Sequence, residues 1–377
     1  MTVYGFLSTY PPTRCGLASF TDSLASAVPR PCDPDARVVR VDDLVPTGPP
    51  VLGAHTVVVD DLHPGSLNSR IAAAAALNAC DVAIVQHEYG IYGGRDGDEI
   101  LDVLDRITAP CIVVFHTVLE QPSAHQRWLL ERIAELASSV VVMTRTAHDL
   151  LERHYQIAMS KVSVIAHGVP EWSPSSVSDP SRRPTVLTWG LLGPGKGIEW
   201  GIRAFARLRA MTPAPLYRIV GQTHPKVLAE QGDTYRQSLI DLAAELGISD
   251  NVEFDDGYQS AAQLAAIVAA SDVVLLPYDT RAQTTSGVLV EAIAAGKPVV
   301  ATRFPHSIEL LGHGGGILVD HENPEQIAAA LQRVLDRSGV GADLAEAALA
   351  DAPATPWSEV GSAFRALAAK FEGVRAA

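Results

Sequence analysis

The chain is poor in cysteine, in positive charge and in long apolar runs, and each shortage removes a class of protein. Only four cysteines occur in 377 residues, Cys15, Cys32, Cys80 and Cys111. None forms a CxxC pair, so neither a disulfide framework nor a cysteine zinc site is expected. Lysine and arginine number 29 against 43 acidic residues, a formal net charge of −14. That balance argues against a nucleic-acid partner and against an anionic membrane surface, since both need clustered basic residues. A small anion can still be held locally. Apolar stretches such as Ile71 to Leu77 fall far short of the roughly 20 residues that a membrane helix requires, so no integral membrane segment is expected. The first residues, MTVYGFLSTYPPT, lack a basic segment ahead of an apolar run and lack a small-residue cleavage site. A cytoplasmic protein is expected. Catalytic signatures are missing too. There is no GxSxG, no Walker loop and no HExxH, because Ile91 stands where a second histidine would follow His87-Glu88.

What is present is an ordinary globular composition, 47 % hydrophobic and 19 % charged, with 29 glycines and 25 prolines spread along the chain. The length predicts about two domains at roughly 100 to 200 residues each. Short apolar runs alternate with amphipathic segments from the start. Tyr4 to Ser8, Val38 to Val41, Thr56 to Asp60, Val82 to His87, Cys111 to His116, Val140 to Thr144 and Val162 to Ile165 predict strands. Helices are predicted over Gly16 to Val28, Asn68 to Ala79, Asp98 to Ile107, His125 to Ala137 and Thr146 to His154. Alternation of this kind builds βαβ units on a parallel sheet. At Pro170 to Pro184, PEWSPSSVSDPSRRP, proline and serine replace every periodic signal.

The pattern then restarts, with strands at Thr185 to Trp189, Tyr217 to Val220, Val252 to Phe254, Val273 to Pro277 and Val299 to Ala301. A final helix is expected over Pro356 to Phe371. The reading is an α/β chain of two doubly wound parallel-sheet domains facing a cleft: residues 1–172, a linker at 173–184, a second domain at 185–355 and a terminal helix within 356–377. Ligands in such sheets sit at the carboxyl ends of the strands.

The most informative stretch is Gln283 to Thr302, QTTSGVLVEAIAAGKPVVAT. Thr284, Thr285, Ser286 and Gly287 lie where a loop becomes a helix, and the first amides of a helix have no partners inside it. Those amides and the helix dipole favour an anion such as phosphate. Glu291 follows one turn later among apolar residues, and Gly296 closes the helix. A plain serine-threonine cap followed by a buried acid paired to a lysine fits the spacing equally well.

Gly193, Pro194, Gly195, Lys196 and Gly197 lie between a strand and a helix. Here the glycines permit close backbone approach and the lysine can reach phosphate oxygens; a tight turn with a surface lysine is the other reading. Gly16 opens the first helix after YPPTRC, either to pack helix on strand or to present backbone donors. His116 ends the strand CIVVFH, as a structural hydrogen-bonding residue or at a ligand. Asp96-Gly97-Asp98 is expected to cap a helix, and no metal site is expected.

Taken together, these residues resemble the retaining glycosyltransferases of family 4, which have the GT-B architecture. The motifs that carry the likeness are CGLASF, VFHT, KVSVIAHGVP, WGLLGPGKGIE, LGISDNVEFDDGY and, most specifically, SGVLVEAIAAGKPVVAT. The resemblance implies two Rossmann-like domains with a terminal helix crossing back to the first. It implies transfer of a hexosyl unit, mannosyl or glucosyl, from a GDP- or UDP-linked sugar to a carbohydrate or other hydroxyl acceptor, without metal or cofactor. By the same resemblance Lys196 contacts the donor diphosphate and Glu291 holds the ribose hydroxyls. The Ser286-Gly287-Val288 backbone, with Thr285 and Gly195 beside it, matches the diphosphate site. His116 resembles the histidine beside the donor sugar, and Gly16 the glycine of a mobile loop. The sequence departs from the pattern in two places. Gln283 stands where the first of two paired glutamates belongs, and Leu191 where an arginine often precedes the donor lysine. A sugar phosphorylase, a nucleotide-sugar epimerase and a catalytically silent sugar-nucleotide scaffold are the alternatives on the same frame.

Overall fold

In the computed structural model, residues 1–42, 56–171, 182–336, 339–351 and 355–371 are described. The chain divides into two compact units, Met1–Gly168 with Thr355–Ala377, and Val169–Ala354. The expected linker falls mostly on residues 172–181, outside the described residues.

The first unit runs β1 (Tyr4–Ser8), α1 (Gly16–Ala27), β2 (Ala36–Val41), β3 (Thr56–Leu62), α2 (Leu67–Asn78), β4 (Val82–His87), α3 (Ile100–Leu104), β5 (Cys111–Phe115), α4 (Ala124–Leu136), β6 (Ser139–Val142), α5 (Arg145–His154) and β7 (Val162–Val164). All pairings are parallel, in the order β3-β2-β1-β4-β5-β6-β7. The central strands β1, β4, β5 and β6 are buried along their whole length because both faces are covered, whereas the outer strand β3 carries Asp60 and Asp61 and exposes Val57 and Val59. Phe6, Ile84 and Val114 enter one core, while Leu7, Val85 and Val113 enter the core on the opposite face.

The terminal helix belongs to this unit. It lays Val360, Phe364 and Leu367 into the core that holds Phe20 and Leu24 of α1. Contact is close at Gly361, where a Cβ would overlap the Ala27 carbonyl. Arg365 completes the joint by donating from one guanidinium nitrogen to the Ala27 and Val28 carbonyls, 2.9 Å each. Those carbonyls end α1 and have no helical partners of their own.

The second unit runs β8 (Thr185–Trp189), α6 (Ile198–Leu208), β9 (Leu216–Val220), α7 (Pro225–Gln231), α8 (Thr234–Glu245), β10 (Val252–Asp255), α9 (Ala261–Ala270), β11 (Val273–Leu276), α10 (Gly287–Ala294), β12 (Val299–Thr302), α11 (Pro305–Leu311), β13 (Ile317–Val319), α12 (Pro324–Leu335) and α13 (Val340–Asp351). The terminal helix of the first unit is α14 (Trp357–Ala369). The second sheet is parallel in the order β10-β9-β8-β11-β12-β13. The edge strand β13 is the element that the sequence pattern does not announce. It has three residues, Ile317–Val319.

Strand order reverses between β8 and β11. A reversal of that kind leaves a crevice beyond the carboxyl ends of the two strands, because their following segments leave to opposite faces of the sheet.

Candidate functional site

The segments that follow β8 and β11 contain Lys196 and the start of α10, so both candidate phosphate groups stand at this switch point. They are joined by a third segment, the one that follows β12. Within the 190–197 loop, the Lys196 amide donates to Gly193 O at 3.1 Å, which closes a tight turn. The loop is then fastened to the segment after β11. Gly195 O accepts from Asp279 N at 2.9 Å and from the Thr280 hydroxyl at 3.1 Å. Gly197 has φ +60°, and a Cβ there would fall inside the Pro277 carbonyl. Only glycine allows that approach.

The fastened loop sets the lysine over an aromatic face. Lys196 Nζ lies 4.3 Å from the centroid of the buried Tyr278 ring, which is stacked in turn on Phe304 at 5.2 Å. Among the described residues no carboxylate pairs with this ammonium. Its positive charge is held by a ring face and left unneutralised, the state suited to an incoming anion. The expected tight turn is present, and the lysine above it has no carboxylate partner among the described residues.

At α10, Ser286 is the N-cap and its hydroxyl accepts from Leu289 N at 3.3 Å. One expectation is corrected here. The Ser286 amide is not unpaired, because it donates to Nδ1 of His306 at 2.8 Å. The amides of Gly287 and Val288, the first two of α10, have no partner among the described residues. The hydroxyls of Thr284 and Thr285 are also buried without a partner, and Thr284 is only 2 % exposed. Unpaired buried polar groups are costly and uncommon in a folded protein. Two amides and two hydroxyls left open at one helix start therefore suit an anionic guest better than a plain cap does.

The pairing of Glu291 with a lysine does not occur. Lys297, the nearest lysine in sequence, donates its ammonium to Ala269 O and Ser271 O at 2.7 and 2.8 Å. Glu291 has no ion pair among the described residues. Burial pushes its carboxyl up to about 7, against a hydrogen bond from the Trp189 side chain that lowers it. Gln283 turns inward, its side-chain amide donating to Thr285 O at 3.0 Å.

In the first unit, His116 follows β5 directly. Its Nε2 lies 2.7 Å from Gln86 Oε1, and its ring meets Phe20 edge-on at 4.8 Å. Because a glutamine oxygen only accepts, His116 carries its proton on Nε2 and leaves Nδ1 as an acceptor. Burial, with the nearby imidazoles of His167 and His87, pushes it down to about 3, so it is neutral near pH 7. Asp96 and Asp98 do not cap a helix. They grip His125 of α4 from two sides, at 2.9 and 3.3 Å. The carboxylates meet a ring on another element, which local spacing cannot announce.

Gly16, at the start of α1, is exposed, and a Cβ built there meets nothing within 4 Å. Gly16→Ala should therefore leave the thermal midpoint unchanged or slightly raised, alanine being the better helix former. A drop of several degrees on a thermal melt would show that the fold itself needs this glycine.

Residues 173–350 match the family described as glycosyl transferases group 1. Among curated relatives, the D-inositol 3-phosphate glycosyltransferase of Rhodococcus opacus is 30 % identical over 248 residues, covering 63 % of this chain and 54 % of the relative. That of Stackebrandtia nassauensis is 32 % identical over 241 residues, covering 60 % and 53 %. The chain spans about half the length of these relatives. Among solved structures, Anabaena HepE in complex with UDP and glucose matches with a TM-score of 0.76 at 17 % identity, over 98 % of this chain and 100 % of that one. Sucrose-phosphate synthase from Thermosynechococcus elongatus matches with a TM-score of 0.75 at 17 % identity, over 99 % and 100 %. The fold is GT-B. Of the two sheets of this GT-B chain, the second carries the Lys196 loop and the open α10 start, and it is the one that the group 1 family match covers. Among the described residues, no helix is long and apolar enough to cross a membrane.

Proposed function

We propose that this GT-B protein is a metal-independent, retaining glycosyltransferase that moves a mannosyl or glucosyl unit from a GDP- or UDP-linked sugar to an acceptor hydroxyl. What supports the reading is the convergence, at the switch point of the second sheet, of an unneutralised ammonium and an unfilled helix start. A pyrophosphate is the group that uses both. The family match over the same residues points the same way.

In the reaction, the bond from the sugar C1 to the diphosphate oxygen breaks as C1 bonds to the acceptor oxygen on the same face. The acceptor proton passes to the departing phosphate oxygen. Lys196 and the amides of Gly287 and Val288 lower the barrier by meeting charge that grows on the leaving group. Glu291, when ionised, accepts from the ribose hydroxyls. On the family pattern His116 is assigned to the donor sugar and Gly16 to a mobile loop. The likeness to D-inositol 3-phosphate glycosyltransferases makes a phosphorylated cyclitol the first acceptor to assay.

The test is to incubate the protein with UDP-glucose or GDP-mannose and D-inositol 3-phosphate in the presence of EDTA, and to read the product by NMR. Release of nucleoside diphosphate with retained anomeric configuration is expected. Inversion, dependence on a metal, or failure to bind any nucleotide sugar in a thermal-shift panel would overturn the proposal.

A further inference from the structure

The loop ahead of α10 is held by a residue that no motif singles out. His306, second in α11 and only 3 % exposed, bonds to that loop twice. Its amide donates to Gln283 O at 3.3 Å, and its Nδ1 accepts the Ser286 amide at 2.8 Å. Gln283 adds a third tie within the loop, from its side-chain amide to Thr285 O. Ser286 is itself only 3 % exposed, so without His306 its N–H would be left buried and unpaired. Such a group tends to recover a partner by turning the backbone, and that rotation would carry the next two amides with it.

We infer that His306 is a positioning residue for the pyrophosphate. By taking the Ser286 amide it selects Gly287 and Val288 as the donors left for the anion and fixes their direction. The same arrangement gives Gln283 a purpose of its own. A glutamate there would set a carboxylate against the Thr285 carbonyl, where the amide now donates. Gln283 is then a loop brace and not merely a missing acid. This inference rests on the proposed function, since it names what orients the proposed donor site.

The test compares the affinity of UDP or GDP with that of the matching nucleoside, by ligand-observed NMR, in the wild type, His306→Ala and His306→Asn. Asparagine keeps an acceptor oxygen near the place of Nδ1. Expected is a loss of about tenfold or more for the diphosphate in His306→Ala, the scale of orphaning a buried donor. The nucleoside should stay within about twofold, and His306→Asn should recover most of the loss. Gln283→Glu should weaken diphosphate binding in the same selective way. A wild type that binds a diphosphate no better than its nucleoside would overturn the proposed function. A wild type that prefers the diphosphate, with His306→Ala unchanged or weakened equally for both ligands, would overturn the role of His306 alone. So would a His306→Asn variant that melts like the wild type yet recovers nothing.

Discussion

Lys196→Ala should lower the rate of transfer by about 10² or more, the scale observed when one charge-stabilising donor is removed from a site where charge develops. The thermal midpoint should barely move. The structural reason for that split is the environment of the ammonium. It has no carboxylate partner among the described residues and rests on the face of Tyr278 at 4.3 Å. A cation–π contact at a partly exposed site is worth about 0.5–1 kcal/mol, so its loss costs little in folding. The Tyr278 ring keeps its place through Phe304, and its backbone keeps the bond from the Thr302 hydroxyl at 2.6 Å. Stability and catalysis are therefore separable at this position. Lys196→Arg should restore only part of the rate, because a planar guanidinium is not interchangeable with a compact ammonium folded over a ring. Initial rates at saturating donor, measured beside a melting curve, decide the matter. A Lys196→Ala rate within about threefold of wild type would remove the lysine from the leaving-group site and the proposed mechanism with it.

The sequence made the two sheets legible because buried strands are written as short runs dominated by apolar residues. Val82 to His87 and Thr185 to Trp189 are found at the predicted bounds. The connections were legible wherever glycine or proline marked them, as in the loop that carries Lys196. What escaped were the polar side-chain pairings between segments distant in sequence. Asp96 and Asp98 hold a histidine about thirty residues on, and neither carboxylate caps a helix. Lys297 follows Glu291 at a spacing that invites an ion pair, yet two carbonyls from α9 and its end capture its ammonium. His306 lies behind Phe304-Pro305 in a segment with no motif, and its partner precedes it by twenty residues. Periodicity encodes which face of an element is buried. Which polar group meets which is decided by the order of strands, and that order is settled only when the chain folds.

Glu291 should make donor binding depend on pH in the neutral range, and in a direction opposite to its effect on stability. Its carboxyl is raised from 4.5 to about 7, with burial as the main cause. Between those two values the folded protein holds a proton that the unfolded chain releases. Stability is therefore fully present at low pH, falls as pH rises through this window and is level above it. Glu291→Gln, neutral at every pH, should remove that slope and melt higher than wild type at pH 8. Binding runs the other way. A ribose hydroxyl donates best to the ionised carboxylate, so affinity should rise as pH passes 7 and be up to about tenfold weaker at pH 6 than at pH 8. A nucleotide sugar is the right ligand for calorimetry, because its pyrophosphate diester does not titrate in this range. His116 is already neutral there, its ordinary range having been lowered to about 3, so it adds no slope of its own. The Gln variant should bind weakly and without the pH dependence, since an amide cannot ionise to meet the two hydroxyls. If wild-type affinity is level from pH 6 to pH 8, or if the Gln variant keeps the slope, the ribose is held by some other group. The raised carboxyl would then be only a consequence of its place on an apolar helix.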